Sequence, residues 1–599
     1  MNLEKLLLLV RTLRHLRWEQ LAYRPLRVAQ FRLYRLLPQL AFRSTEIGAA
    51  ASSVSRQSVE TIRQAFNERF AHLNQPLAEF DGWLNDLKQN HFKFLNRSLT
   101  IHPKVEWNKR YENHLWNYQL HYFGFAPLAA RTLAERGEAS AWQACRRLIE
   151  RWIDDARVGR SDGWDAYPIS LRVVNWIYAY SLVADREDES FLAKWRASMF
   201  DQLGFLSRHL EHHLLANHLL KNIKALVIGG LFFQHENWQN ESWLAEGERL
   251  LWRELDEQVL ADGGHYERSP MYHAQTLADF LESYALLRAF SRTEPNEKIE
   301  ARLQAMAGFL SAMSYPDGTL ALFNDSANTV ETRPLPILES ATRIVGADTQ
   351  VMTSFSQTGY YLWASADGRE KIIVDAGEPS VTYNTAHAHC DLLSYELWLD
   401  GQPFIVDSGV HGYGGDRFRE YCRSTRAHNT VMFDGIEQSE VWSTFRMARR
   451  AKVLNSEANG DDASWNFCGK FERYDGKVIH HRRIHRSEFG EWTVTDFADG
   501  DVGVASSFVH LHPAIEAELI DGKVICRLGI RRVVIEAFGQ CVDAKLIVGS
   551  EAPIQGWRFD DFGIAEASAV IQFDYRIGKG KEFGYRMVAL PTGRGTDSE

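Results

Sequence analysis

The chain has 599 residues, about four times a typical domain, which excludes a single compact core and predicts two or more domains. Hydrophobic residues at 45% and charged residues at 24% exclude wholesale disorder, and a formal net charge of −10 excludes a sequence-independent nucleic-acid binder, which needs a basic field. Six scattered cysteines form neither a disulfide framework nor a CxxC zinc module, while 18 Trp, 21 Tyr, 33 Phe and 22 His supply flat, rigid surface suited to sugar rings or to a large helical core.

In chain order, residues 6–10 make an apolar run of five before Arg11, too short for a secretory signal, so no cleavable leader is expected. Arg11, Arg14, Arg17, Arg24, Arg27, Arg32 and Arg35 alternate with Leu, Trp, Phe and Tyr up to Leu37, the pattern of a basic amphipathic helix. Two readings stand for it: a surface for an anionic membrane or a protein partner, and a helix packed across the domain behind it. No run of 18 apolar residues exists, so no transmembrane span is expected. This helix and a Ser/Ala-rich linker over 44–60 make up residues 1–60.

From 61 to 345 the apolar spacing is helical. Helices are predicted over 141–156, 169–183, 191–209, 216–234, 243–260, 276–290 and 299–313, with joints at Ser161-Asp162-Gly163, Ala261-Asp262-Gly263-Gly264 and Tyr315-Pro316-Asp317-Gly318. Short joints between helices of this length imply antiparallel hairpins stacked as a solenoid or closed into a ring. Near 350 the texture changes to short β-branched and aromatic runs at 359–363, 371–375, 395–399, 404–407, 428–433, 492–497, 523–528 and 532–538. Asp400-Gly401 between two of them is a hairpin signal. Helices first and strands second give an α+β chain, its second domain (350–599) antiparallel and sandwich-like.

Four clusters join titratable residues to the ends of elements. Asn217-His218 opens an apolar helix; Asn217 reads equally as an N-cap, and His218 as a hydrogen-bonded core residue. Residues 262–273 crowd Tyr266, Glu267, Arg268, Tyr272 and His273 into a glycine-freed loop that runs into a helix at Pro270. His387-Ala388-His389-Cys390-Asp391, then Asp407, and Arg423 to Thr430 with Arg426 and His428, offer three N/O donors of the kind zinc accepts. If the Asp400-Gly401 turn pairs 394 with 407, a straight strand leaves His389 about 17 Å from Asp407 at about 3.3 Å per residue. A metal site therefore requires residues 387–391 to bend back, or a different register.

These runs, with Ser394-Tyr395-Glu396-Leu397, Ala427-His428-Asn429-Thr430, Trp116-Asn117-Tyr118-Gln119-Leu120-His121-Tyr122 and Ser170-Leu171-Arg172, resemble the heparinase II/III family of polysaccharide lyases over about residues 100–440. The resemblance implies an incomplete (α/α) toroid over 61–345 followed by an antiparallel β-sandwich, with the active site between them. It implies β-elimination at a uronate, in which C5 loses a proton and the C4 oxygen leaves. By that analogy Asn217 binds the carboxylate beside His218, Tyr272 is the acid, and either Tyr272 or His387 is the base. Asn117, Tyr118, Arg172, Glu267, Arg423 and Arg426 fall to substrate binding, with ordinary salt bridges the rival for each arginine. His389, Asp407 and His428 match positions where relatives hold a metal, which implies one structural divalent ion, zinc by its donors, and no organic cofactor. Tyr413 and Tyr421 both lie where relatives use a further tyrosine.

The expected partner is an acidic, uronate-containing polysaccharide or oligosaccharide, heparan-type, alginate or exopolysaccharide, with a link to bacterial exopolysaccharide metabolism, and nucleic acid is not expected. The compartment is cytoplasmic or membrane-peripheral by sequence and periplasmic by resemblance. Two rivals stand: a glycoside hydrolase drawing paired carboxylates from Asp262, Glu267, Asp325 and Asp391, and a non-catalytic glycan-binding or assembly factor.

Overall fold

The computed structural model describes residues 3–41, 54–233, 238–348, 352–578 and 580–590. The first ten positions of the expected linker, 44–53, lie outside them, and its end opens the helix Arg56–Arg69, capped by Ser55. The single basic helix expected at the N-terminus is two, Leu3–Leu13 and Trp18–Leu36, and the side chain of Gln20 accepts from the Arg17 amide where the second begins. Among the described residues no helix is long and apolar enough to cross a membrane.

The helical half follows the periodicity closely. Helices run Ala139–Asp155, Ala166–Val183, Glu189–Leu206, Ala216–Phe232, Trp238–Gln258, Pro270–Ala289 and Glu297–Ala312. Side chains of Asn113, Asp188 and Asn296 cap helix starts, each accepting from first-turn amides. Ala166–Val183 packs on Glu189–Leu206, Ala216–Phe232 on Trp238–Gln258 and Pro270–Ala289 on Glu297–Ala312, and Ala216–Phe232 also touches Ala166–Val183 and Pro270–Ala289. Gly230 and Gly247 let Ala216–Phe232 and Trp238–Gln258 close together: a Cβ on Gly230 would lie 2.8 Å from Cβ of Leu244. Buried among Ala166–Val183, Ala216–Phe232 and Pro270–Ala289 is an ion cluster. The Lys224 ammonium reaches Asp279 at 3.0 Å and Glu282 at 2.6 Å, and Glu282 also accepts from Tyr178 at 2.6 Å.

The second half is antiparallel throughout its sheets. A five-stranded sheet (354–405), an eight-stranded sheet and a four-stranded sheet share one core, in which Val374, Leu397, Phe433, Phe467, Val494, Ile535 and Phe573 meet. Strand Trp465–Glu472 alternates buried and half-buried residues, the period-two signature of a sheet with one face on the core. The Asp400-Gly401 turn forms with both residues at positive φ, 52° and 79°, pairing Leu399 with Gln402. A register shift between Leu397 and Trp398 and the end of the strand at Ile405 break the straight ladder assumed from sequence. On the other side the chain leaves the sheet at Leu393 (φ 60°), where the Ser394 amide donates to the Asp391 carbonyl at 2.9 Å. Residues 387–391 therefore do bend back. Arg482, paired with buried Asp496, fixes the bend by donating to the carbonyls of Leu393 and Asn429.

The two halves are sewn together by the joint before Pro270. The Asp262 carboxylate accepts from the amides of Gln357 and Thr358, and Arg268 donates to the Thr358 carbonyl at 2.7 Å. A Cβ on Gly264 would fall 1.9 Å from the Thr358 hydroxyl, so only glycine permits this approach.

Candidate active site

The site forms where the helix Pro270–Ala289 points its first turn at the bent-back loop. Ser269 caps that helix, accepting from the Tyr272 amide while its hydroxyl donates to the Asp325 carbonyl. Tyr272 is 6% exposed; its ring lies against His387, centroids 4.0 Å apart, and its hydroxyl is 2.7 Å from that of Tyr413. Burial, reinforced by Tyr413 and Asp325, raises the Tyr272 phenol well above its ordinary value, and burial does the same to Tyr413.

Asp325 holds this arrangement. One oxygen accepts from Nδ1 of His387 at 2.8 Å, the other from Nε2 of His389 at 2.8 Å, and both accept from Arg419. Burial alone would push Asp325 up, but Arg419 and the two imidazoles hold it well below the usual carboxylate range. With Nδ1 of His387 committed, Nε2 is the nitrogen left for a ligand. Asp325 enters the sequence reading only as a hydrolase carboxylate, and Arg419 not at all; the polar triplet Asn324-Asp325-Ser326 after an apolar run is the signal that marks the first.

Asn217 is not a cap. The helix Ala216–Phe232 begins with Leu215 in the cap position, at φ 65° and without a side-chain bond, and Ala216 at φ 49°. Two consecutive non-glycine residues at positive φ are strained backbone of the kind found at functional sites. The Asn217 amide is thereby freed to lie beside the Tyr167 hydroxyl, where it offsets part of the rise that burial imposes on that phenol. The His218 ring lies against Tyr167, centroids 4.4 Å apart and tilted by 43°, and its Nδ1 lies 3.2 Å from Glu211. Tyr167 in turn lies near enough to Tyr272 to raise its phenol a little further. Glu267 is buried, feels both His387 and His218, accepts from Asn384 at 3.1 Å, and keeps Oε2 without a partner among the described residues.

Several expected ligand-binding residues are committed elsewhere. Arg172 is fully buried, donating to Gln202 and to the carbonyls of His121 and Gly163 and lying over Trp152 at 3.8 Å; a guanidinium so enclosed braces helices and reaches no substrate. Arg423 is buried too, donating to carbonyls of Thr385, Ala388 and Ser443, so it supports the loop of His387 from behind. Asn117 is buried and donates to Asp162 at 2.9 Å; half-buried Tyr118 donates to Asp165 at 2.6 Å. Arg426 is half-buried with no ion pair to a described residue, and its carbonyl accepts from His510 and Gln555. Of the two tyrosines Tyr413 is in the site, while Tyr421 is buried against Phe559.

The metal-ligand set differs in one member. His389, Asp391 and His428 bring donor atoms within 4.8 Å of one another, all buried. Asp407 instead accepts from Nδ1 of His428 at 2.8 Å, the place of a carboxylate that orients a ligating imidazole. Nδ1 of His389 and Nε2 of His428 are buried without partners among the described residues, so the residues fit a divalent cation that would satisfy both. Burial lowers His389 to about 4, whereas Asp407 outweighs burial and lifts His428 to about 9.

Residues 50–348 match the family model described as heparinase II/III N-terminus, and 347–585 the model described as heparinase II/III-like, C-terminal. Among curated proteins the chain is 26% identical over 296 residues to a heparin-sulfate lyase of Pedobacter heparinus, covering 45% of this chain and 44% of that protein. It is 25% identical over 374 residues to a heparin-sulfate lyase of Bacteroides thetaiotaomicron, covering 54% and 51%. The chain thus spans about half the length of the curated relatives it matches. A crystal structure of heparinase III superposes with a TM-score of 0.69 at 18% identity, over 93% of this chain and 87% of that one, a likeness of fold.

Proposed function

Because the chain belongs to the heparinase II/III family, we propose that its cleft cleaves a uronate-containing acidic polysaccharide by β-elimination. What carries the reading is the contact of the Tyr272 phenol with the Asp325-held His387 imidazole, together with an Asn217 amide that has no capping duty. The Asn217 N–H groups meet the uronate carboxylate and stabilise charge as C5 is deprotonated. Nε2 of His387 takes the C5 proton, the C4–C5 double bond forms, and the C4–O bond breaks. Tyr272, kept protonated by its surroundings and held by Tyr413, gives its proton to the leaving oxygen and regains one from the His387 imidazolium against which it lies, which returns both groups to their starting state. Exopolysaccharides rich in uronate are the substrate class that suits this chemistry.

His389, Asp391 and His428 would hold one divalent cation, zinc by donor type. Bound there it supplies positive charge and cross-linking, a structural role that fastens the loop carrying His387. Elemental analysis of the purified protein should find about one equivalent, falling sharply in His428→Ala; a small fraction of an equivalent in the wild type would reduce the three residues to packing.

A paired-carboxylate hydrolase fits less well. Asp262 is bonded to backbone amides, Asp325 to imidazoles and Arg419, and Asp391 to the Asn324 amide and the histidine cluster, which leaves Glu267 without an opposing partner. The deciding experiment incubates the protein with a panel of acidic polysaccharides and follows ultraviolet absorbance of unsaturated ends. Wild type should generate it; Tyr272→Phe should lose at least about 10²-fold in rate while retaining glycan binding. Wild-type-like turnover in that variant removes Tyr272 from the mechanism, and binding without unsaturated product in the wild type returns the chain to an assembly-factor role.

A further inference from the structure

The helix Trp18–Leu36 is turned the wrong way for a surface helix. Its buried residues are Gln20, Arg27 and Tyr34, seven apart on one face. They are held by polar contacts: Arg27 donates to the carbonyls of Arg208 and Leu210, and Tyr34 lies 2.9 Å from Nε2 of His209. At 100° per residue the opposite face carries Trp18, Leu21, Leu33 and Leu36, of which Trp18 is 69% and Leu36 79% exposed. The helix Leu3–Leu13 repeats the inversion. It buries no residue, touches the strand domain through Arg11 on Glu440 and Thr12 on Trp442, and leaves Leu3, Leu6, Leu7 and Val10 in solvent at helical spacing.

An apolar face this continuous is held out of water by a ligand or partner. Its charge says which. Residues 3–41 carry eight basic side chains against two acidic ones, in a chain whose net charge is −10. Exposed Arg24 and Arg35 flank the apolar face of the second helix, and Arg32 lies within it. A second copy of the chain would set these arginines against one another, whereas anionic headgroups complement them while acyl chains receive the leucines. We propose that the outward face of the two N-terminal helices docks the protein on an anionic lipid surface. The contact is interfacial, with Trp18 at headgroup depth, and it is independent of the lyase reading. The same helices touch both halves of the molecule, Arg17 lying over Tyr383 at 3.6 Å four residues before His387, so docking at this surface sets the cleft at a fixed orientation to the membrane.

The test floats the full chain with vesicles of phosphatidylcholine alone or mixed with phosphatidylglycerol. Wild type should float with the mixed vesicles in a salt-sensitive manner and stay down with phosphatidylcholine. Trp18→Ser/Leu21→Ser/Leu33→Ser/Leu36→Ser, altered only at exposed positions, should lose at least about ten-fold in partitioning. Arg24→Glu/Arg32→Glu/Arg35→Glu should lose about 100-fold on anionic vesicles, at about five-fold per arginine. Equal flotation on the two lipids, or no change in either variant, overturns the proposal. So does a concentration-dependent dimer in sedimentation that the serine variant disperses, since it gives the face to a second copy.

Discussion

Asp325 determines which nitrogen of His387 faces the cleft, and with it whether the imidazole can accept a proton there. A carboxylate is an acceptor only, so Nδ1 of His387 must carry the hydrogen; an asparagine presents an N–H as readily as an oxygen and no longer dictates the tautomer. Asp325→Asn should therefore lower turnover by about 10²–10⁴-fold, the range for a general base. It also leaves the buried Arg419 guanidinium without its counter-ion, a change that costs about 3–5 kcal/mol. Turnover per folded molecule and the thermal midpoint should both fall. An unchanged rate with only the midpoint lowered would make Asp325 a purely architectural residue. Asn217→Ala removes the amide donor and should raise the barrier by about 3 kcal/mol with little loss of stability, because the side chain caps nothing.

At the scale of elements, the start of Ala216–Phe232 shows a local conformation set against local preference. Ala216 at φ 49° costs about 1 kcal/mol that glycine would not incur. Ala216→Gly should thus hold or slightly raise the unfolding midpoint while lowering turnover several-fold, because a freer backbone no longer aims Asn217; a fall in midpoint with normal turnover would mean that the strain is unconnected to catalysis. This turn also marks where sequence reading stops. Helices such as Glu297–Ala312 and strands such as Lys371–Asp375 were legible because apolar spacing reports burial directly. The motif residues Tyr272, His387 and Asn217 were legible as chemistry. What Arg172 and Arg423 touch was not, since a guanidinium beneath backbone carbonyls looks in sequence like one awaiting a carboxylate. Nor was the exchange of Asp391 for Asp407 in the donor cluster. It depends on a bend at Leu393, a leucine at positive φ that no propensity announces.

For the molecule as a whole, stability toward acid should depend on the ion cluster inside the toroid. Burial would raise the Glu282 carboxyl, but Lys224 and His72 outweigh it and hold it well below its ordinary 4.5. A carboxyl depressed in the folded state binds its proton more readily when unfolded. Its contribution is therefore fully present above about pH 4.5 and is lost as the pH falls toward the depressed value. Glu282→Gln should destabilise the protein by about 3–5 kcal/mol near neutrality and flatten the acid side of its stability profile, as denaturant titrations at stepped pH would read. A profile still as steep as wild type would assign the acid sensitivity to other carboxylates.

The groups of the proposed site come from both sides of the border near residue 348: Tyr272 and Asp325 precede it, His387, Tyr413 and Arg419 follow it. A hybrid enzyme joined at that border from two relatives would inherit acid and counter-ion from one parent and base from the other, with the carboxylate–imidazole bond crossing the seam. Swapping specificity between such relatives by exchanging halves is thus a geometric gamble on one 2.8 Å contact. Crossovers placed between 390 and 410 would keep that pair within a single parent.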